Sequence, residues 1–163
     1  STIVADYLIA QIEAGVNAIQ VFDSWVGVLN KTDYKEFVLP HTRHIFDTIG
    51  KRVPTIHFGT GTTTILEDLR DAGGDVIGVD WRLPIDLAWE RIGHSRAVQG
   101  NLDPTLLLGP QERLLEKTED ILARVNRQPG HIFNLGHGIL PSTPVENVQI
   151  LAKHVHNISE RVA

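Results

Sequence analysis

The chain has 163 residues, of which 42% are hydrophobic and 21% charged, and a formal net charge of −5; that is enough for one domain with a real core and too little for two. The acidic balance, with no dense Lys/Arg patch, argues against nucleic acid as the main partner, and the absence of cysteine excludes disulfides and thiolate metal sites. No apolar stretch approaches membrane-spanning length and the N-terminus lacks a basic-then-apolar targeting pattern, so no membrane partner and a cytoplasmic location are expected.

In chain order, short apolar runs centred on Ile19, Ile56, Ile77, Val98 and Phe133 are each followed by helical periodicity. That alternation belongs to βα units and predicts five parallel strands. Ala18 to Phe22 and Val76 to Val79 are nearly continuous in apolar residues, as strands covered on both faces are. Pro40 interrupts the pattern from Thr32 to Ile49 and should restart or kink that helix. Gly73-Gly74 should stop the helix that begins near Thr63, and Gly93 the short one after Pro84. Asp103-Pro104 reads as an N-cap followed by proline at the first helical position. Thr143-Pro144-Val145-Glu146 repeats that arrangement and adds the glutamate of a capping box. The helix it opens carries Val148, Leu151, Val155, Ile158 and Val162 at three- and four-residue steps.

Parallel α/β proteins place their chemistry at the carboxyl ends of the strands, where loops are free to vary. Here those ends hold Asp23, Ser24 and Trp25; His57, Gly59 and Thr60; Asp80, Trp81 and Arg82; Gln99, Asn101 and Asp103; then Asn134 and His137. Gly136-His137-Gly138 stands out, because an imidazole between two residues without Cβ lets a ligand approach ring and main chain together. Asp103 is explained as a cap. Asp23 and Asp80 end buried strands, where a bond to a loop amide or to Arg82 competes with a site role. Ser24 has no adjacent histidine and no nucleophile-elbow glycines, so it reads as a hydrogen-bond donor to a substrate oxygen. Trp25 and Trp81 either close the core or line a pocket, and His57 faces either the rim or the core. His94 and His131 flank strand starts and read as structural; His41, His44, His154 and His156 read as solvated or half-buried surface. No metal is expected: His41 and His44 are three apart, but nothing near them completes a tetrahedral set.

Two folds fit these features, an open doubly wound sheet and part of a (β/α)8 barrel. For the first, Gly59-Thr60-Gly61 follows a strand, and Asp80 ends the next one at about the spacing of a ribose-binding acid. Against a dinucleotide enzyme, Thr64 occupies the place of the third glycine or alanine that lets helix and strand approach.

The run His131-Ile-Phe-Asn-Leu-Gly-His-Gly-Ile-Leu-Pro141, followed by Thr143-Pro144-Val145-Glu146-Asn147-Val148, resembles the C-terminal segment of the uroporphyrinogen decarboxylase family. Ala18-Ile-Gln-Val-Phe-Asp-Ser-Trp25, Val76-Ile-Gly-Val-Asp-Trp81 and Gln99-Gly-Asn-Leu-Asp-Pro104 resemble three further segments of that family, in the same order. The resemblance implies the C-terminal part of a (β/α)8 barrel, about five βα units, with residues 1–163 forming a single partial domain. Ser1 and the absence of methionine fit a chain that does not start at its native initiator.

The resemblance also implies a reaction: removal of the four acetate carboxyl groups of uroporphyrinogen to give coproporphyrinogen, without metal or organic cofactor, by a homodimer. Ser24 and His137 match family positions that contact substrate and are the expected binding residues. The family's Arg-Gln-Ala-Gly-Arg loop and the aspartate that addresses the pyrrole nitrogens have no counterpart here, so no catalytic proton donor is assigned in this chain. Two alternatives remain. A cobamide-dependent methyltransferase of the same superfamily would need a His/Cys zinc site, which zero cysteine disfavours; an isolated non-catalytic fragment would leave two sheet edges unpaired.

Overall fold

A computed structural model describes residues 1–159; Val162, the last member of the expected apolar stripe, lies outside the described residues. Helix α1 (Thr2–Glu13) precedes strand β1 (Ile19–Asp23). A short turn α2 (Lys31–Asp33) continues through a widened π turn at Tyr34–Val38 into α3 (Leu39–Ile49). Then come β2 (Thr55–Gly59), α4 (Leu66–Ala72), β3 (Val76–Gly78), α5 (Ile85–Ile92), β4 (Ala97–Leu102), α6 (Gln111–Arg124), β5 (His131–Leu135) and α7 (Val145–Ser159). The five strands form one sheet in the order β1-β2-β3-β4-β5, every neighbouring pair parallel. An open doubly wound sheet reverses its strand order at a switch point. This one never reverses, which is how consecutive strands of a (β/α)8 barrel run.

The register gives the two faces different fates. Ile77, Val79, Val98, Leu102, Phe133 and Leu135 turn toward the helices, where Leu66, Leu69, Ile85, Trp89, Ile92, Leu107 and Leu114 close the main core, and Ile19 and Val21 on the same side pack in a second cluster with Leu8, Ile45 and Ile49. Gln20, Phe22, Ile56, Phe58, Gln99, Ile132 and Asn134 share the other face by alternation along their strands. There Gln99 donates to Gln20 at 3.2 Å across two intervening strands. Strands lie about 4.8 Å apart and side chains stand off the sheet, so this bridge forms because the sheet curls around that face. The curled face is open along its edge strands, where Phe22 is 68% exposed, while Phe58 and Gln99 on its central strands are buried. The expectation that β1 is covered on both faces is therefore corrected; its apolar run reflects a barrel-facing surface that this chain leaves bare.

Local signals place most helix ends. Pro40 is the second residue of α3, where its missing N–H costs nothing, so it restarts the helix. Gly73 and Gly93 terminate α4 and α5 with φ of +136° and +86°. Asp103 accepts from Thr105 N at 2.9 Å and Thr105 Oγ1 at 2.7 Å, but it caps a single tight turn at Pro104–Leu108, after which α6 starts at Gln111. The capping box at Thr143 does not form. Val148 N bonds to the Pro144 carbonyl, which makes Pro144 the cap and leaves Thr143 one residue too early, with its buried hydroxyl unbonded.

His57 turns to the helix side of β2 and is completely buried, its ring tilted against Phe46 at 5.1 Å. Nδ1 lies 3.1 Å from the Leu69 carbonyl, which can only accept, so Nδ1 carries the proton of the neutral ring; Nε2 has no protein partner. Burial pushes its pKa down to about 4, against backbone hydrogen bonds that raise it. The unfolded chain then binds a proton at this residue near pH 6.5 while the folded chain refuses it until about pH 4, so its contribution to stability is complete above 6.5 and is lost as pH falls toward 4. Between pH 7 and pH 5 the His57 contribution to the unfolding free energy should drop by about 2 kcal/mol. Chemical denaturation at the two pH values checks this, with His57→Phe expected to lose that part of the pH dependence.

Candidate active site

The residues at the carboxyl edge of the sheet are held by one buried carboxylate. Asp80, 2% exposed, follows β3; its Oδ2 accepts from the backbone N–H of Gly61, in the loop after β2, and from Arg82 Nη1 at 2.7 Å, while Oδ1 accepts from Arg82 N at 2.9 Å. Asn101, buried on β4, donates to the carbonyls of Asp80 and Leu83 at 2.8 and 2.7 Å and so fixes the same loop from the next strand. Thr60 Oγ1 donates to the Ser24 carbonyl and joins the loops after β1 and β2. These two loops touch at main-chain level, because a Cβ on Gly27 would lie 2.7 Å from the Gly61 Cα.

Ser24 and His137 come together. They line one open cavity of about 390 Å³ together with Trp25, Gly27, Val28, Thr60, Gly61 and Arg82. Trp25 is 84% exposed, so it lines the mouth and closes no core. Trp81 is half-buried between two partners: the His137 ring meets it edge-on at 6.4 Å, and the Arg82 guanidinium lies over it at 4.2 Å. The two glycines around His137 have different reasons. A Cβ on Gly136 would sit 2.5 Å from the Trp81 backbone nitrogen, whereas one on Gly138 would meet nothing within 4 Å. Close packing accounts for the first; only the second leaves space for a ligand.

Other expected rim groups turn elsewhere. Asp23 shares the helix-facing side of β1 with Ile19 and Val21; burial raises its pKa, and its charge joins burial and Asp68 in pushing the Tyr34 hydroxyl up. Gln99 and Asn134 lie on the curled face below the mouth. The Asp80 carboxylate is buried and accepts three hydrogen bonds from Gly61 and Arg82, so it faces no ribose site and the dinucleotide reading of Gly59-Thr60-Gly61 fails at the acid it requires. His131 bonds to the Gly100 carbonyl at 2.9 Å, with burial lowering its pKa, and His154 meets Glu119 at 2.9 Å. Among the described residues no three His, Asp or Glu side chains converge as metal ligands, and no helix is long and apolar enough to cross a membrane. Val28 and Gly27 were not singled out from sequence; the glycine one turn after a strand-end serine is the signal that could have found them.

A curled, sequentially ordered parallel sheet with a polar and aromatic mouth at its carboxyl edge defines part of a barrel of the (β/α)8 type. The family model described as uroporphyrinogen decarboxylase (URO-D) matches residues 1–158, and the chain belongs to that family. Uroporphyrinogen decarboxylases of Carboxydothermus hydrogenoformans and Sorangium cellulosum are each 53% identical to it, over 94% and 97% of this chain and 44% and 46% of their own lengths. The chain thus spans about half the length of the curated relatives it matches. A solved methyltransferase from Methanosarcina mazei shares the fold, with a TM-score of 0.84 at 23% identity over 96% of this chain and 47% of that one.

The two glycines should respond differently to alanine. Gly136→Ala forces the Trp81 main chain away and should cost about 1–3 kcal/mol by the usual scale for overpacking; Gly138→Ala should stay within about 0.5 kcal/mol, as surface changes do. Equilibrium denaturation followed by tryptophan fluorescence measures both.

Proposed function

We propose that this chain supplies part of the site of a uroporphyrinogen decarboxylase, which converts the four acetate side chains of uroporphyrinogen to methyl groups and releases carbon dioxide. The observation that carries the reading is the shared cavity of Ser24 and His137, the two positions that the family resemblance marks as substrate contacts. Each cycle needs no oxidant: a ring carbon of the pyrrole takes a proton, the C–CO2 bond breaks and its electron pair flows into the cationic ring. A proton then adds to the exocyclic methylene as the ring proton leaves, so that one carboxylate and one proton become CO2 and a C–H bond. The protein's tasks are to hold a large polyanion, supply the proton and stabilise the cationic ring.

In this reading Ser24 donates a hydrogen bond to a substrate carboxylate, and His137 positions an acidic side chain of the tetrapyrrole at the mouth. Trp25 and Trp81 suit a large flat ligand at the rim. The two unpaired sheet edges, with Phe22 and Ile132 exposed on them, argue that five strands do not complete the barrel, so residues 1–163 alone are proposed to be inactive. A cytoplasmic homodimer goes with the family reading.

The test is anaerobic turnover of uroporphyrinogen by the protein at its natural full length, with product followed by chromatography after oxidation to porphyrins. Formation of coproporphyrinogen is expected; its absence with folded protein would sink the reading. Ser24→Ala and His137→Ala should each lower kcat/KM roughly 10–100-fold, the scale of a lost hydrogen bond to a charged group. Turnover and substrate affinity untouched by both changes would remove these two assignments.

A further inference from the structure

We infer that Arg82 is a further substrate-binding residue, a preset guanidinium that takes a carboxylate of the substrate at the cavity mouth; this rests on the functional reading above. Arg82 lines the same cavity as Ser24 and His137, and no other Lys or Arg lines it. The chain carries a net charge of −5, so a polyanion approaching this mouth needs a local cation. Arg82 is held for such a task from two sides. Its Nη1 bonds to the buried Asp80 carboxylate at 2.7 Å and its plane lies over Trp81 at 4.2 Å, which removes most of the rotamer freedom a long side chain would lose on binding.

The ion pair with Asp80 leaves part of the guanidinium available. Here the side chain is 49% exposed, and Nε and Nη2 have no protein partner among the described residues. Two donors in a fixed fork match the two oxygens of a carboxylate. Asp80 offsets part of the positive charge, but it is itself buried and hydrogen-bonded to Gly61, so it acts as an anchor behind the guanidinium. Ser24, Thr60 and His137 supply neutral or titratable polar groups around it, and the lining includes no carboxylate.

The experiment compares wild type, Arg82→Gln and Arg82→Lys in the protein at its natural full length. For Arg82→Gln, KM for uroporphyrinogen is expected to rise 10–100-fold with kcat within threefold of wild type. Arg82→Lys, which restores the charge but not the fork, should recover part of the loss, and the salt dependence of KM should be weaker in Arg82→Gln than in wild type. An unchanged KM in folded Arg82→Gln, or equal losses in the Gln and Lys variants, would overturn the assignment. If Arg82→Gln fails to fold because Asp80 is left unpaired, the double variant Asp80→Asn, Arg82→Met removes both charges together, and the same KM comparison decides. Failure of the wild type to decarboxylate would overturn the functional reading itself, an outcome distinct from wild-type turnover that is indifferent to Arg82.

Discussion

The Asp80 carboxylate is the constraint on which the mouth depends. A buried anion must be matched by hydrogen bonds or by charge, and here its partners come from two different segments: the Gly61 N–H after β2, and the backbone and guanidinium of Arg82 after β3. Satisfying it draws the two loops together. Asn101 on β4 then ties the Asp80 and Leu83 carbonyls to the next strand, and Gly136 after β5 lies directly on the Trp81 backbone. The loops after β2, β3 and β5 and the end of strand β4 are thus positioned around one polar centre, and Ser24 joins them through its carbonyl and Thr60.

The sheet underneath divides its labour by face. The helix side carries the apolar core and is closed; the curled side carries Gln20, Phe22, Gln99, Ile132 and Asn134, of which Phe22, Ile132 and Asn134 on the edge strands are exposed. The exposed apolar side chains of the curled side, Phe22 and Ile132, lie on the two edge strands of the sheet, where a barrel would continue by strand pairing. The same division explains the histidines: His57 is neutral because it faces the closed side, and His137 is exposed because it follows the last strand onto the rim.

Much of the fold was legible because its signals are local. All five strands fall on the predicted apolar runs, and Pro40, Gly73, Gly93 and Asp103 act where their backbone chemistry requires. The capping box failed at Thr143 since a one-residue shift in the first helical hydrogen bond puts its hydroxyl out of reach; pattern alone cannot fix a helix start that closely. The site was legible in part. Ser24 and His137 were found as strand-end polar groups and as family positions, but the packing origin of Gly136 was not, because its neighbour Trp81 is distant in sequence.

By itself the sequence determined the βα rhythm, the parallel sheet, the family and the strand-end inventory, since alternation, glycine and proline placement and motif wording are properties of neighbouring residues. Which member of that inventory faces the cavity was decided by tertiary structure. Asp23 turned to the helices, Asp80 became a buried anchor, Trp25 became a rim residue and Arg82 entered the mouth beside Ser24 and His137. The physical reason is that sheet curvature and loop-to-loop hydrogen bonds, made between residues far apart in the chain, choose the direction of each side chain at a strand end.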